Sequence, residues 1–159
     1  MKVVGIDLAG KSENPTGFCV IDDSTVQTGL IFDDETIIKQ IEKEKPDIIA
    51  IDAPLWMPRE GIWRPGELQL IKRGFRPISA VFPTMRLLSL RASNLSKRLT
   101  EKGFKTIEVM SKISEKILGL SKQPKSNKDE YEALISALTA KAYLEDKYED
   151  LAGIIVPKQ

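Results

Sequence analysis

Two aspartates stand where continuous apolar runs of the chain end, and they are the first residues that suggest chemistry. Asp7 closes the run at residues 3–6, and Asp52 closes the run at residues 48–51. A strand that is apolar on both faces lies inside a sheet, so a carboxylate at its end costs desolvation energy unless a positive group lies opposite. Each aspartate taken alone also suits an ordinary turn.

The two carboxylates meet if their strands are parallel neighbours in one sheet. Two unit charges 4 Å apart repel by about 4 kcal/mol at an effective dielectric constant near 20. A divalent cation held between the carboxylates removes that penalty. We therefore predict that Asp7 and Asp52 share a metal site.

A third source of carboxylates is the predicted last helix, which runs from residue 128 to about 147 and is capped by Asn127. Asp129 and Glu132 are three residues apart, so they lie on one side of its first turns, about 5 to 6 Å from each other. Asp129 also suits the helix dipole by itself. The candidate site therefore comprises Asp7, Asp52, Asp129 and Glu132.

Histidine is absent from the chain, and there is one cysteine, Cys19, in an apolar run. This composition excludes Ser-His-Asp hydrolases, zinc deaminases, HExxH proteases and histidine-based nucleases. The remaining chemistry uses carboxylates, amines, hydroxyls or bound ions. Carboxylate oxygens favour Mg²⁺ or Mn²⁺, and we expect Cys19 to be a buried structural thiol.

The 159 residues suit one domain, residues 1–159, with 42% hydrophobic and 30% charged residues and a net charge of +1. This balance does not indicate a nucleic-acid or membrane partner, although it can hide a segregated surface. No leader precedes the first strand, and no apolar run approaches the roughly 20 residues that span a bilayer. We therefore expect a cytoplasmic protein, which forms a homodimer if its surface carries an apolar patch.

The order of predicted elements indicates an α/β fold with a mixed central sheet flanked by helices. Three strands separated by short turns predict an antiparallel meander, and a helix that ends before Pro46 then leads to the strand before Asp52. A right-handed crossover makes this fourth strand parallel to the first. A long loop, about 53–83, precedes a helix, a strand near 105–109, the last helix and a closing strand.

This order resembles the ribonuclease H-like fold, in which acids of the first strand, the fourth strand and the last helix bind two magnesium ions for phosphodiester hydrolysis. Residues 4–9, 49–54 and 129–134 look like the three motif blocks of an uncharacterised predicted-nuclease family of archaea and bacteria. The last block is also similar to RuvC-type resolvases, with Glu132 where aspartate is usual. The resemblance covers essentially the whole chain and implies a metal-dependent nuclease acting on DNA or RNA.

The resemblance implies roles for individual residues. Asp7 would contact both ions, while Asp52 and either Glu132 or Asp129 would each complete one of them. Residues 64–67 look like an Arg-x-Cys-Asp segment of the family, which makes Glu67 a candidate further ligand. The expected partner is nucleic acid, whose phosphates would be held by basic residues, and the candidates are Lys11, Arg64, Arg73, Arg76 and Arg86.

Two other functions remain open at the level of the sequence. A binding module without catalysis would retain the fold and use the long loop for a nucleic-acid or protein partner. In the nuclease, Trp56 or Trp63 of the same loop would stack on a base, although tryptophans in such a loop more often pack the loop itself. Actin-like ATPases and sugar kinases share a similar first strand. They need two such domains, for which 159 residues leave no room.

Overall fold

One mixed sheet of seven strands runs through the protein, in a computed structural model that describes residues 1–159. The strands are β1 (Lys2–Asp7), β2 (Thr16–Asp22), β3 (Thr25–Ile31), β4 (Ile48–Ile51), β5 (Thr106–Val109), β6 (Tyr148–Leu151) and β7 (Ile154–Pro157). Their order across the sheet is β3-β2-β1-β4-β5-β7-β6. The fold is therefore mixed α/β, as the sequence predicted.

The pairing of the strands confirms the predicted meander and the predicted parallel orientation of the first and fourth strands. β1 pairs antiparallel with β2, and β2 pairs antiparallel with β3. β4 pairs parallel with β1, with Ile51 opposite Ile6. β5 and β7 extend the parallel part, and β6 closes the far edge as an antiparallel strand.

Five helices flank the sheet. They are α1 (Asp34–Glu44), α2 (Pro65–Lys72), α3 (Pro83–Glu101), α4 (Ser111–Leu118) and α5 (Lys128–Leu144). None of them combines the length and the apolar character that a membrane-spanning helix requires.

Both faces of β1 are buried, which explains its uninterrupted apolar sequence. Val4 and Ile6 pack with residues of α1 and α3 on one face, whereas Val3 packs with the alanine-rich side of α5 on the other. Cys19 of β2 is fully buried in the α5 layer, and burial raises the pKa of its thiol to about 12. This placement agrees with the expected structural role of the cysteine.

The structure adds three elements that the sequence analysis did not predict: α2 inside the long loop, α4 after β5, and the edge strand β6. Each is only four to eight residues long, and elements this short carry little periodic signal. The last helix ends at Leu144 instead of near residue 147, because Asp146 adopts a left-handed conformation with φ of 59°. Asn127 caps this helix as predicted, accepting hydrogen bonds from the N–H groups of Asp129 and Glu130.

Candidate metal centre

The four candidate carboxylates come from three elements that meet at one edge of the sheet. Asp7 is the last residue of β1, and Asp52 directly follows β4, where its N–H still donates to the carbonyl of Ile6 at 2.8 Å. The parallel pairing of β1 and β4 therefore places the two aspartates side by side. Asp129 and Glu132 reach the same edge from the first turns of α5.

Three of these side chains form a compact cluster of oxygen atoms. One carboxylate oxygen from each of Asp7, Asp129 and Glu132 lies within 4.8 Å of the other two. Asp52 is not one of these three residues, but its side chain forms a hydrogen bond with Asp7 and is close enough to Glu132 for their charges to interact. Asp7 is therefore the residue that the cluster shares with Asp52.

Two glycines allow α5 to bring its acids this close. A Cβ atom at Gly5 of β1 would lie 2.1 Å from the carbonyl oxygen of Ala133, and one at Gly17 of β2 would lie 2.0 Å from that of Asp129. Neither distance tolerates a side chain, so both positions require glycine for steric reasons. The backbone of α5 lies directly on the sheet as a result.

The electrostatics of Asp7 show how unfavourable this convergence is for bare carboxylates. Burial, followed by the charges of Asp52 and Glu132, raises the pKa of Asp7 to about 10. None of the four carboxylates forms an ion pair with a lysine or arginine. The raised pKa favours the protonated form of Asp7 at neutral pH, and a bound cation would favour the ionised form instead.

Asp52 differs because Ser111 supports its negative charge. Its two oxygens accept hydrogen bonds from the backbone N–H of Ser111, at 3.0 Å, and from the Ser111 hydroxyl. Burial raises the pKa of Asp52 to about 6, and these two hydrogen bonds hold it well below the pKa of Asp7. Ser111 is the first residue of α4, where the helix dipole also favours an anion.

The carboxylates border a cavity of about 400 Å³ at the carboxyl ends of β1 and β4. Asp7, Asp52 and Glu132 contribute to its lining, together with the beginnings of α3, α4 and α5 and the loop before α3. Three exposed cations from three different segments also line it: Arg76, Lys112 and Lys128. Of these, the sequence analysis identified only Arg76.

The other predicted phosphate-binding residues lie elsewhere. Lys11 and Arg86 are exposed and do not line the cavity. Arg73 pairs with Glu149 at 2.8 Å and lines a different depression.

Arg64 and Glu67 lie in a separate buried cluster, in contrast to their expected roles. The Arg64 guanidinium donates to Glu67 at 3.0 Å and to Glu108 of β5 at 2.6 Å, and all three side chains are at most 3% exposed. Both oxygens of Glu67 accept hydrogen bonds from Arg64. Arg64 is buried and paired, so it is not exposed to bind a phosphate. Glu67 is buried against Arg64 and is not part of the carboxylate cluster.

Trp56 and Trp63 pack within the loop that leads to α2. The Arg64 guanidinium lies 5.4 Å from the centre of the Trp56 ring, and Trp63 lies 6.2 Å from Phe82. Trp56 is still 45% exposed. Neither tryptophan lines the cavity.

Sequence reasoning missed Ser111, Lys112 and Lys128 as members of the site. The only signal for Ser111 is a serine shortly after the strand at 106–109, where a helix can begin. Lys112 and Lys128 look like solvated surface residues in the sequence. Their place around the cavity depends on how α4 and α5 pack.

The donor set of this centre suits a hard divalent cation. Carboxylate oxygens are the ligands that Mg²⁺ and Mn²⁺ prefer, and such ions need neither histidine nor cysteine. Asp7, Asp129 and Glu132 could therefore bind a metal ion together.

Comparisons with known proteins identify the family of the chain. No curated protein matches it. A family model described as "Protein of unknown function (DUF429)" matches residues 5–134, a range that contains all four carboxylates. Because that range covers most of the sequence, the chain belongs to the DUF429 family.

Proposed function

We propose that this protein is a nuclease that depends on Mg²⁺ or Mn²⁺ and hydrolyses phosphodiester bonds of DNA or RNA. The observation that carries the proposal is the convergence of Asp7, Asp52, Asp129 and Glu132 without any paired lysine or arginine. Such an arrangement costs folding free energy, which a bound cation would repay.

The architecture supports the resemblance to ribonuclease H-like enzymes. The acids come from the first strand, the end of the fourth strand and the last helix. Those are the positions that the resemblance implies for a two-metal site. The length of Glu132, one methylene longer than aspartate, is accommodated here because its carboxylate still reaches Asp7.

Different residues of the chain would have different roles in such a reaction. Bound cations would supply Lewis acidity and charge stabilisation for phosphoryl transfer. Asp7, Asp129 and Glu132 would hold a cation through their carboxylate oxygens, with the proton of Asp7 passing to solvent. Ser111 orients Asp52 by donating hydrogen bonds to both of its oxygens. Arg76, Lys112 and Lys128 surround the cavity as binding groups for phosphate.

Calorimetric titration with Mn²⁺ tests the metal centre directly. We expect the wild type to bind and Asp7→Asn to lose binding while its circular dichroism stays native. Glu13→Gln is a matched control, because Glu13 is an exposed carboxylate outside the site. Identical isotherms for the wild type and Asp7→Asn would contradict the proposal.

A panel of labelled single-stranded, duplex, hybrid and junction substrates tests the activity. Cleavage in Mn²⁺ that Asp52→Asn fails to perform would support the nuclease. Binding of metal and nucleic acid with no cleavage of any substrate would instead favour the binding module without catalysis.

A further inference from the structure

The cavity beside the carboxylates is partly apolar, which a site that contacts only phosphates does not require. Its apolar wall is formed by Leu8, Ile78, Met85, Leu88, Met110 and Ile113. These side chains come from β1's end, the loop before α3, α3 itself and the region of α4. Acidic, apolar and cationic side chains therefore line the same cavity.

The cations are free to bind an external anion. Arg76, Lys112 and Lys128 are exposed and take part in no ion pair within the protein. They belong to three separate segments, namely the loop before α3, α4 and α5. A ligand that satisfies this surface must carry negative charge and also a flat or compact apolar part.

We infer that the cavity receives a single unstacked nucleotide, with its base against the apolar wall and its phosphate between the carboxylate centre and the cations. The protein would therefore act on single-stranded nucleic acid in preference to duplex. This inference rests on the proposed function and adds the class of substrate to it.

The size of the cavity supports this choice of substrate. At about 400 Å³ it falls near the lower end of the roughly 300 to 1,000 Å³ typical of small-ligand sites. Bases in a duplex are stacked and paired, so their faces reach an apolar wall only after a costly extrusion, which a single strand largely avoids.

Ile78 is the residue best suited to a test. It lines the cavity but is 55% exposed, so shortening it should leave the fold intact. Leu90 of α3 is a matched control, because it is 49% exposed and does not line the cavity. Ile78→Phe provides a second variant that keeps an apolar, base-stacking surface at the same position.

The experiment measures fluorescence anisotropy of a short labelled oligonucleotide in Ca²⁺, as a single strand and as a blunt duplex of the same sequence. Each probe is made both as DNA and as RNA, so that the preferred type of nucleic acid can be determined. We expect the single strand to bind at least tenfold more tightly than the duplex. Ile78→Ala should weaken single-strand binding about fivefold, the effect of losing one base contact, whereas Ile78→Phe and Leu90→Ala should not.

A 2-aminopurine placed in the strand reports base unstacking through its fluorescence. We expect this fluorescence to rise when the strand binds the wild type, and to rise less when it binds Ile78→Ala. The inference would be wrong if the duplex bound as tightly as the single strand, or if Ile78→Ala bound the single strand as tightly as the wild type. Mn²⁺-dependent cleavage in that case would still support the proposed nuclease. If no nucleic acid is bound or cleaved, the nuclease and the inference both fail.

Discussion

Asp7 is the residue on which the properties of the centre depend most. It touches both halves of the site, and burial together with Asp52 and Glu132 makes its ionisation unfavourable. Asp52, a few ångströms away, is kept more acidic by Ser111. Two chemically identical side chains thus differ in pKa, because burial and the neighbouring acids disfavour the charge of Asp7 whereas Ser111 stabilises the charge of Asp52.

The raised pKa of Asp7 predicts how the stability of the metal-free protein depends on pH. The folded state keeps a proton on Asp7 up to about pH 10, whereas the unfolded chain releases it near its ordinary value of 3.8. Between pH 3.8 and about 10 the folded state binds more protons than the unfolded chain. The contribution of Asp7 to the free energy of unfolding is therefore fully present below pH 3.8 and is lost as the pH rises toward about 10. We expect urea unfolding in EDTA to show declining stability from acidic to alkaline pH.

Asp7→Asn should flatten this decline and stabilise the metal-free protein at alkaline pH by at least about 1.4 kcal/mol, the equivalent of one pKa unit. Asp33→Asn is the control, since Asp33 is an exposed helix cap whose pKa is lowered by its hydrogen bonds to Thr36. That control should retain the alkaline decline. A wild type and an Asp7→Asn variant with the same pH profile would show that Asp7 is not protonated in the folded protein.

At the scale of elements, the distance between α5 and the sheet determines whether the acids meet. β1 and β2 present glycines to this helix, and the helix presents small alanines to the sheet. The close approach carries Asp129 and Glu132 to the end of β1. The proposed metal site therefore depends on how closely α5 packs on the sheet.

Gly17→Ala tests this dependence, because its Cβ would meet the carbonyl oxygen of Asp129. We expect overpacking to destabilise the fold by about 1 to 3 kcal/mol, and displacement of α5 to weaken Mn²⁺ binding about tenfold or more. Gly29→Ala on β3 is the control, since no atom lies within 4 Å of the added Cβ. Thermal unfolding measures the change in stability, and calorimetric titration measures Mn²⁺ binding. Equal Mn²⁺ affinities of Gly17→Ala and Gly29→Ala would show that metal binding does not depend on the packing of α5.

At the scale of the whole molecule, charge is segregated although the net charge is only +1. Three acids and three cations line one cavity, and a second set of charges is buried in the Arg64 cluster. That cluster links the segment before α2 to β5, and the N–H of Leu55 also donates to Glu108 at 2.9 Å. It anchors the long connection after β4 to the sheet.

Arg64→Met should destabilise the protein by about 3 to 5 kcal/mol, because it leaves Glu67 and Glu108 buried without a cation. Replacing both glutamates with leucine in the same variant should recover most of the loss, since an apolar cluster has no charge to desolvate. Arg73→Met, which breaks only the exposed pair with Glu149, should change stability little. Urea denaturation separates these cases, and an Arg64→Met variant as stable as Arg73→Met would exclude an anchoring role.

The sequence alone determined every strand except β6, the meander, the parallel crossover and the arrival of Asp7 and Asp52 at one edge. These features follow from apolar periodicity, short turns and the handedness of crossovers, all of which act between neighbouring segments. The capped last helix could be predicted for the same reason.

Only the tertiary structure decided which charges are buried and which line the cavity. Arg64 and Glu67 resemble surface residues in the sequence, yet they neutralise each other beside Glu108, while Ser111, Lys112 and Lys128 reach the site from segments far from Asp7. The physical reason is that desolvation and Coulomb energies depend on distances across the fold, and these distances are established only when helices and sheet have packed.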